Sequence, residues 1–114
     1  MRNLYRFEAI QSVFNILQPG LGREMIPFAA EHGVAVVPYS PLASGMLTGQ
    51  HGNSGKAKDG SKFGARDDSK GGGLKSRYFN KAAFDATAEL ISISEKHEQP
   101  VIRLALQWIS EFPA

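Results

Sequence analysis

The sequence contains no cysteine, so disulfide bonds and cysteine-ligated metal sites are excluded. It also lacks a secretory segment and any apolar run near the roughly 20 residues that a helix needs to cross a bilayer. Thirteen basic residues stand against eleven acidic ones, and a formal charge of +2 is too small to indicate a nucleic-acid or membrane-surface partner. These absences predict no nucleic-acid partner, no membrane association and a cytoplasmic location.

The chain does contain enough apolar material for a folded core. Hydrophobic residues make up 42% and aromatic residues 10% of its 114 positions, as in globular domains. An α/β barrel needs roughly twice this length or more. The chain is therefore either one small module or a piece of a larger fold.

The first third of the chain alternates between strand-like and helix-like patterns. Residues 9–17 (AIQSVFNIL) mix β-branched and aromatic residues and precede a Gln-Pro-Gly turn signal. Residues 22–32 repeat apolar side chains at helical spacing, and the run VAVV at 34–37 is typical of a strand covered on both faces. A strand, a helix and a strand within about thirty residues predict a βαβ unit with parallel strands.

The remaining chain is predicted to contain one long loop and two helices. Residues 50–76, rich in Gly, Lys, Asp and Ser, form a long flexible loop that is either functional or disordered. Its basic side chains, interrupted by aspartates, fit either a solvated loop or one that folds over an anionic ligand. Helical periodicity returns at 80–99, with Asn80 as the N-cap, and at 101–112 after Pro100. The second helix should bury a stripe formed by Ile102, Leu104, Ala105, Trp108 and Ile109.

Two patterns suggest chemistry without meeting its requirements. Segment 49–57 resembles a phosphate-binding P-loop, but its spacing has one residue too many and Ala57 replaces the required Ser or Thr. His32, His51 and His97 have neither metal-ligand spacing nor nearby partner ligands, and we expect each of them to face water. No metal site is predicted.

The stretch PYSPLASGMLTG, residues 38–49, follows the second strand directly. Loops at the carboxyl ends of parallel strands are where α/β folds hold ligands. Small residues let the backbone approach a ligand, N–H groups and serine hydroxyls bind phosphate oxygens, and the Tyr39 ring can stack on a planar ring. These features fit a dinucleotide site and a tight structural turn equally well.

Taken in order, FEAIQSVFNIL, REMIPFAAEHGVAVVPYSPLASGMLTG and AELISISEKHEQPVIRLALQWISEFP resemble the aldo/keto reductase family. YSPLASGMLTG and LALQW carry the most specific part of the likeness. The resemblance implies an α/β fold, a partial (β/α)8 TIM barrel with about strands 6 and 7 and their helices. It further implies that residues 1–114 are a C-terminal fragment of an NADPH-dependent oxidoreductase, which reduces small-molecule aldehydes or ketones by hydride transfer.

The resemblance also implies roles for individual residues. Gln11 matches the glutamine that hydrogen-bonds the nicotinamide carboxamide, and Tyr39 matches the ring that stacks under the nicotinamide. Ser40, Leu42 and Ser44 match the loop that holds the pyrophosphate. The family's catalytic Asp, Tyr, Lys and His lie on earlier strands, so no catalytic residue is expected here and the isolated chain is expected to be inactive.

Two hypotheses of other kinds stay open. In the first, the chain is a non-catalytic assembly subunit. Some relatives of the family associate with channels, and two strands alone leave sheet edges exposed for self-association. Alternatively, it is a truncated reading frame without an independent role. The sequence leaves the carbonyl substrate and the choice between NADPH and NADH open.

Overall fold

The computed structural model describes residues 5–52, 60 and 77–113. Within these residues, two strands and three α-helices follow one another in the order β1 (Ala9–Val13), α1 (Met25–Glu31), β2 (Ala35–Tyr39), α2 (Lys81–Lys96) and α3 (Val101–Ser110). Two short 3-10 helices, Pro19–Gly22 and Ala43–Thr48, lie after the strands. Residues 40–49, which contain the second of these, are called the strand-end loop below.

The predicted βαβ unit is present. β1 and β2 pair in parallel, with Gln11 opposite Val37 and Val13 opposite Tyr39. β1 is shorter than the predicted strand 9–17, because the Asn15 side chain accepts hydrogen bonds from two backbone N–H groups just after it and closes a turn. The expected Gln-Pro-Gly turn begins at Gln18, whose N–H donates the second of these hydrogen bonds.

The two faces of the sheet differ in their cover. Side chains two residues apart on a strand project to the same face, so Val36 and Pro38 of β2 share one face, which borders a cleft against Ile26 of α1 and Ile109 of α3. The opposite side is called the open face, and it consists of Ala9, Gln11, Val13, Ala35, Val37 and Tyr39. All of these except the half-buried Val13 are exposed. The expectation of a strand covered on both faces is therefore wrong within the described residues.

Helices α2 and α3 begin where the sequence predicts. The Asn80 side chain accepts a hydrogen bond from the backbone N–H of Ala83 at 3.0 Å and caps α2, and Pro100 precedes α3. Ala105 is buried in α3, and the predicted stripe members Leu104, Trp108 and Ile109 are half-buried. Ile102 is exposed, contrary to prediction, because it lies one helical turn before the exposed Leu106 on the outward face of α3.

Two apolar clusters pack against α3, and the first of them holds the strand-end loop. In the first, Ala43, Met46 and Leu47 pack with Tyr78 and Ala105. In the second, the rings of Phe14, Trp108 and Phe112 meet with centroids 4.9–5.0 Å apart, which gives Trp108 its predicted core role. The loop is therefore clamped between the end of the sheet and α3.

The histidines divide between two environments. His32 and His97 are exposed C-caps of α1 and α2, as expected. His51 is buried, with its ring edge-on to Phe79 at 5.6 Å, so the expectation that it faces water is wrong. The predicted loop 50–76 otherwise lies outside the described residues, apart from 50–52 and 60.

The described part of the chain lacks two further features. No helix there is long and apolar enough to span a membrane. No group of three His, Cys, Asp or Glu side chains there could hold a metal ion.

Candidate cofactor site

The open face carries both residues that were expected to contact a nicotinamide. Gln11 is paired with Val37, and Tyr39 lies two residues further along β2, so their side chains project to the same side of the sheet. Both are exposed, and Tyr39 is 45% accessible. The face therefore presents an amide group and an aromatic ring at neighbouring positions near the carboxyl end of the strand pair.

The strand-end loop has an unusual backbone. Ser40, Ala43 and Ser44 have φ values of 55°, 50° and 57°, in the left-handed region that residues with a Cβ seldom adopt. Each such residue costs about 1–3 kcal/mol, and such strain clusters at ligand sites. Left-handed residues next to right-handed ones also turn successive N–H groups toward one concavity that suits an anion.

Local sequence explains why the loop accepts this conformation. Gly45 has a φ of 102°, a conformation that residues with a Cβ rarely adopt, so glycine is strongly favoured there. The Thr48 hydroxyl donates to the Gly45 carbonyl at 2.7 Å and closes the turn. Ala43, Met46 and Leu47 are buried beneath it and hold it in place.

A buried polar group supports the loop from below. Asn15 is completely buried, and its side-chain nitrogen donates to the Ser40 carbonyl at 2.9 Å. The same nitrogen lies 3.2 Å from the Tyr78 hydroxyl, which in turn donates to the Gln18 side-chain oxygen at 2.6 Å. Sequence reasoning missed these three residues. The only signal was a single polar residue within the apolar run VFNIL.

The structure assembles the five predicted cofactor residues at one end of the βαβ unit. Gln11 and Tyr39 lie on the open face, and Ser40 follows Tyr39 directly. Leu42 and Ser44 are half-buried in the strand-end loop. The aromatic ring and the amide on the open face could bind a planar ring that carries an amide. The serines of the loop could bind a phosphate group joined to that ring.

The model of the aldo/keto reductase family matches residues 1–114. The chain belongs to this family. Its members are oxidoreductases that fold as (β/α)8 barrels and use nicotinamide cofactors, and the parallel βαβ unit with its helices is a part of such an arrangement.

Three relatives match different lengths of the chain. An aldo-keto reductase of Pseudocercospora fijiensis is 30% identical over 105 residues, which cover 91% of this chain and 35% of that protein. A putative aryl-alcohol dehydrogenase of Saccharomyces cerevisiae is 46% identical over 44 residues, covering 39% of this chain and 13% of that protein. Versiconal hemiacetal acetate reductase of Aspergillus parasiticus is 37% identical over 43 residues, covering 38% and 12%.

The chain thus spans 35% or less of the length of these relatives. No solved structure gives a significant match to it.

Proposed function

We propose that this chain forms the cofactor-binding part of an NADPH-dependent aldo/keto reductase that reduces aldehyde or ketone carbonyls by hydride transfer. β1 and β2 are then about the sixth and seventh strands of the barrel, within a C-terminal fragment of the domain. The observation that carries the proposal is that Gln11 and Tyr39 share the open face immediately before the strained loop that starts at Ser40.

The residues present fit a nicotinamide dinucleotide. The Gln11 side chain both donates and accepts hydrogen bonds, as a carboxamide partner must. The exposed Tyr39 ring offers a flat apolar surface for a planar ring. Ser40 and Ser44 offer hydroxyl and backbone donors in a strained loop of the kind that binds anions.

Each group has a distinct task in this proposal. NADPH supplies the hydride when it is bound. Gln11 fixes the rotation of the ring plane through the carboxamide, and Tyr39 covers one face of the ring so that the substrate approaches the other. Ser40, Leu42 and Ser44 hold the pyrophosphate and so set the distance between it and Tyr39. The proton donor and its partners belong to the catalytic Asp, Tyr, Lys and His, which are expected outside this chain.

Nicotinamide contact at Tyr39 is the first test. In saturation-transfer NMR with NADPH, the 114-residue protein should transfer magnetisation to the nicotinamide protons. Tyr39→Ala should abolish that transfer, because the stacking surface is removed. Tyr5→Ala is the matched control, since Tyr5 is fully exposed and precedes the amino end of β1. Equal transfer in wild type and Tyr39→Ala would exclude the proposed stacking.

Catalytic inactivity of the isolated chain is tested separately. NADPH oxidation with an aldehyde substrate should stay at the background rate. Turnover that survives repurification would contradict the proposal that the catalytic residues lie elsewhere.

A second function, non-catalytic assembly, is favoured by the exposed apolar surface. Val37 and Tyr39 are 48% and 45% exposed, and within the described residues each strand pairs only with the other. Self-association through the free sheet edges is the expected consequence. Sedimentation velocity over a hundredfold range of concentration tests it, and a monomer throughout would count against assembly.

A further inference from the structure

We infer that Asn15 and Tyr78 are positioning residues for the cofactor site. Their hydrogen bonds hold Ser40 in its left-handed conformation and so fix the start of the pyrophosphate-binding loop. The inference rests on the proposed function, because it concerns the same loop.

Asn15 uses every hydrogen-bonding group that its side chain has. The oxygen accepts from the backbone N–H groups of Leu17 and Gln18, at 2.9 Å and 3.0 Å. The nitrogen donates to the Ser40 carbonyl at 2.9 Å and to the Tyr78 hydroxyl at 3.2 Å. An asparagine side chain has two donors and two acceptor positions, so this residue is fully satisfied. The two N–H donors on its oxygen also fix which end of the amide faces Ser40.

Tyr78 closes the network from a distant part of the chain. It is 1% exposed and lies 63 residues after Asn15. Its hydroxyl accepts from Asn15 and donates to the Gln18 side chain, while the Gln18 N–H returns to the Asn15 oxygen. The three residues therefore form a closed ring of hydrogen bonds, which is stronger than isolated pairs in a buried site.

Ser40 is the residue on which this ring acts. Its carbonyl accepts from Asn15 and also from the backbone N–H of Ala43 at 3.0 Å, so both lone pairs are engaged. A rotation of Ser40 from a φ of 55° to an extended conformation would turn that carbonyl away. The buried Asn15 N–H would then be unpaired, which is unfavourable. The network thus offsets the strain of the left-handed backbone.

The position of Ser40 decides the geometry of the site. Tyr39, on the open face, precedes it, and the residues expected to hold the pyrophosphate follow it. Asn15 and Tyr78 are buried and do not reach the open face, so they act through Ser40 and not by touching the cofactor. Loss of either should alter how the ring-binding and phosphate-binding parts are aligned.

Two variants of the 114-residue protein test the inference. Tyr78→Phe removes only the hydroxyl and keeps the ring in the core, and Asn15→Asp removes both side-chain donors at nearly constant shape. Each should weaken NADPH binding about tenfold, corresponding to about 1.4 kcal/mol. Each should also move the Ser40 Cα and Cβ chemical shifts away from left-handed values. Amide chemical shifts during an NADPH titration give the affinities.

Asn80→Ala is the matched control. It removes the N-cap of α2 and should lower the melting temperature, and the two hydrogen bonds that it breaks, with the Ala83 N–H and the Arg77 carbonyl, involve no residue of the strand-end loop. It should leave the affinity and the Ser40 shifts unchanged at a comparable loss of stability. If Asn15→Asp does not fold, the NADPH affinity and the Ser40 chemical shifts of Tyr78→Phe alone decide whether the inference holds.

Two outcomes would overturn the inference, and they are distinguishable. Wild-type protein that shows no NADPH binding overturns the proposed function and this inference together. Wild-type binding combined with unchanged affinity and Ser40 shifts in Tyr78→Phe overturns this inference alone.

Discussion

The strand-end loop and the open face adjoin at Tyr39, yet they are held in different ways. The loop is fixed from within the chain, since Leu47 is fully buried and Asn15 hydrogen-bonds the Ser40 carbonyl. On the open face, by contrast, Val37 and Tyr39 stay nearly half exposed among the described residues. A strained backbone requires such internal support, whereas a flat strand surface does not.

Because of this difference, the two parts of the proposed cofactor site should respond differently to mutation. The part proposed to bind the pyrophosphate has a geometry that the chain's own contacts determine, so mutations beneath it should change stability and binding together. The part proposed to bind the nicotinamide is an exposed surface, so mutations there should change binding or association with little effect on folding. Substitutions in the two parts should therefore differ in their effect on the free energy of unfolding, from a large loss beneath the loop to almost none on the open face.

The largest effect is expected beneath the loop. Leu47→Ala should lower the free energy of unfolding by about 2–5 kcal/mol, because it leaves a cavity between the loop, Tyr78 and Ala105. The same substitution at Leu106, which is 44% exposed on α3, should cost less than about 1 kcal/mol. Urea unfolding followed by circular dichroism measures both. Equal losses would show that the loop cluster is not the stabilising core.

A smaller effect is expected at the end of the loop. Gly49 has a φ of +75°, and a Cβ there would lie 2.8 Å from Cδ1 of Ile91 on α2. Gly49→Ala should therefore cost more than the about 1–2 kcal/mol of a left-handed residue alone. Gly52→Ala is the control, since its φ is also positive, at +57°, and its Cβ would meet nothing within 4 Å.

Ile91→Val tests the cause of the Gly49 effect, because it removes the Cδ1 methyl that the new Cβ would strike. In a double-mutant cycle of unfolding free energies, Ile91→Val should recover part of the cost of Gly49→Ala. Purely additive losses would mean that backbone strain, and not contact with α2, decides the outcome.

Local sequence signals were enough to predict the elements around the site. The consecutive apolar residues of β2, the helical spacing before it and the capping preference of Asn80 act over a few residues, and all three elements are present. The same patterns predicted that Gln11 lies in the first strand and that Tyr39 follows the second, whereas β2 extends through Tyr39 and pairs it with Val13. Their shared face then follows from the pleat.

Other features depend on tertiary contacts that local patterns do not encode. Asn15 looks like an interruption of an apolar strand until Tyr78, 63 residues away, supplies its partner. The left-handed conformation of Ser40 could not be predicted either, since the glycines of the loop, Gly45 and Gly49, lie further along it. Ile102 was misplaced because helical spacing identifies a face but not the neighbour that covers it, and His51 because the Phe79 ring that packs against it lies far along the chain.

The smallest effect is expected on the open face itself. Val36 and Val37 are adjacent in β2 but project to opposite sides of the sheet. The same replacement, valine by threonine, can therefore be compared on the two faces. Val37→Thr should change the free energy of unfolding by no more than about 0.5 kcal/mol. Val36→Thr should cost about 1–3 kcal/mol, because its hydroxyl would enter the apolar cleft beside Ile26 and Phe14.

Val37→Thr should still reduce any concentration-dependent association in sedimentation, because it makes the open face more polar. Val36→Thr should leave association unchanged once the protein is folded. A large loss of stability in Val37→Thr would mean that the open face is packed in solution. The surface around Gln11 and Tyr39 would then be closed to a cofactor, and the separation between a supported loop and an open face would fail.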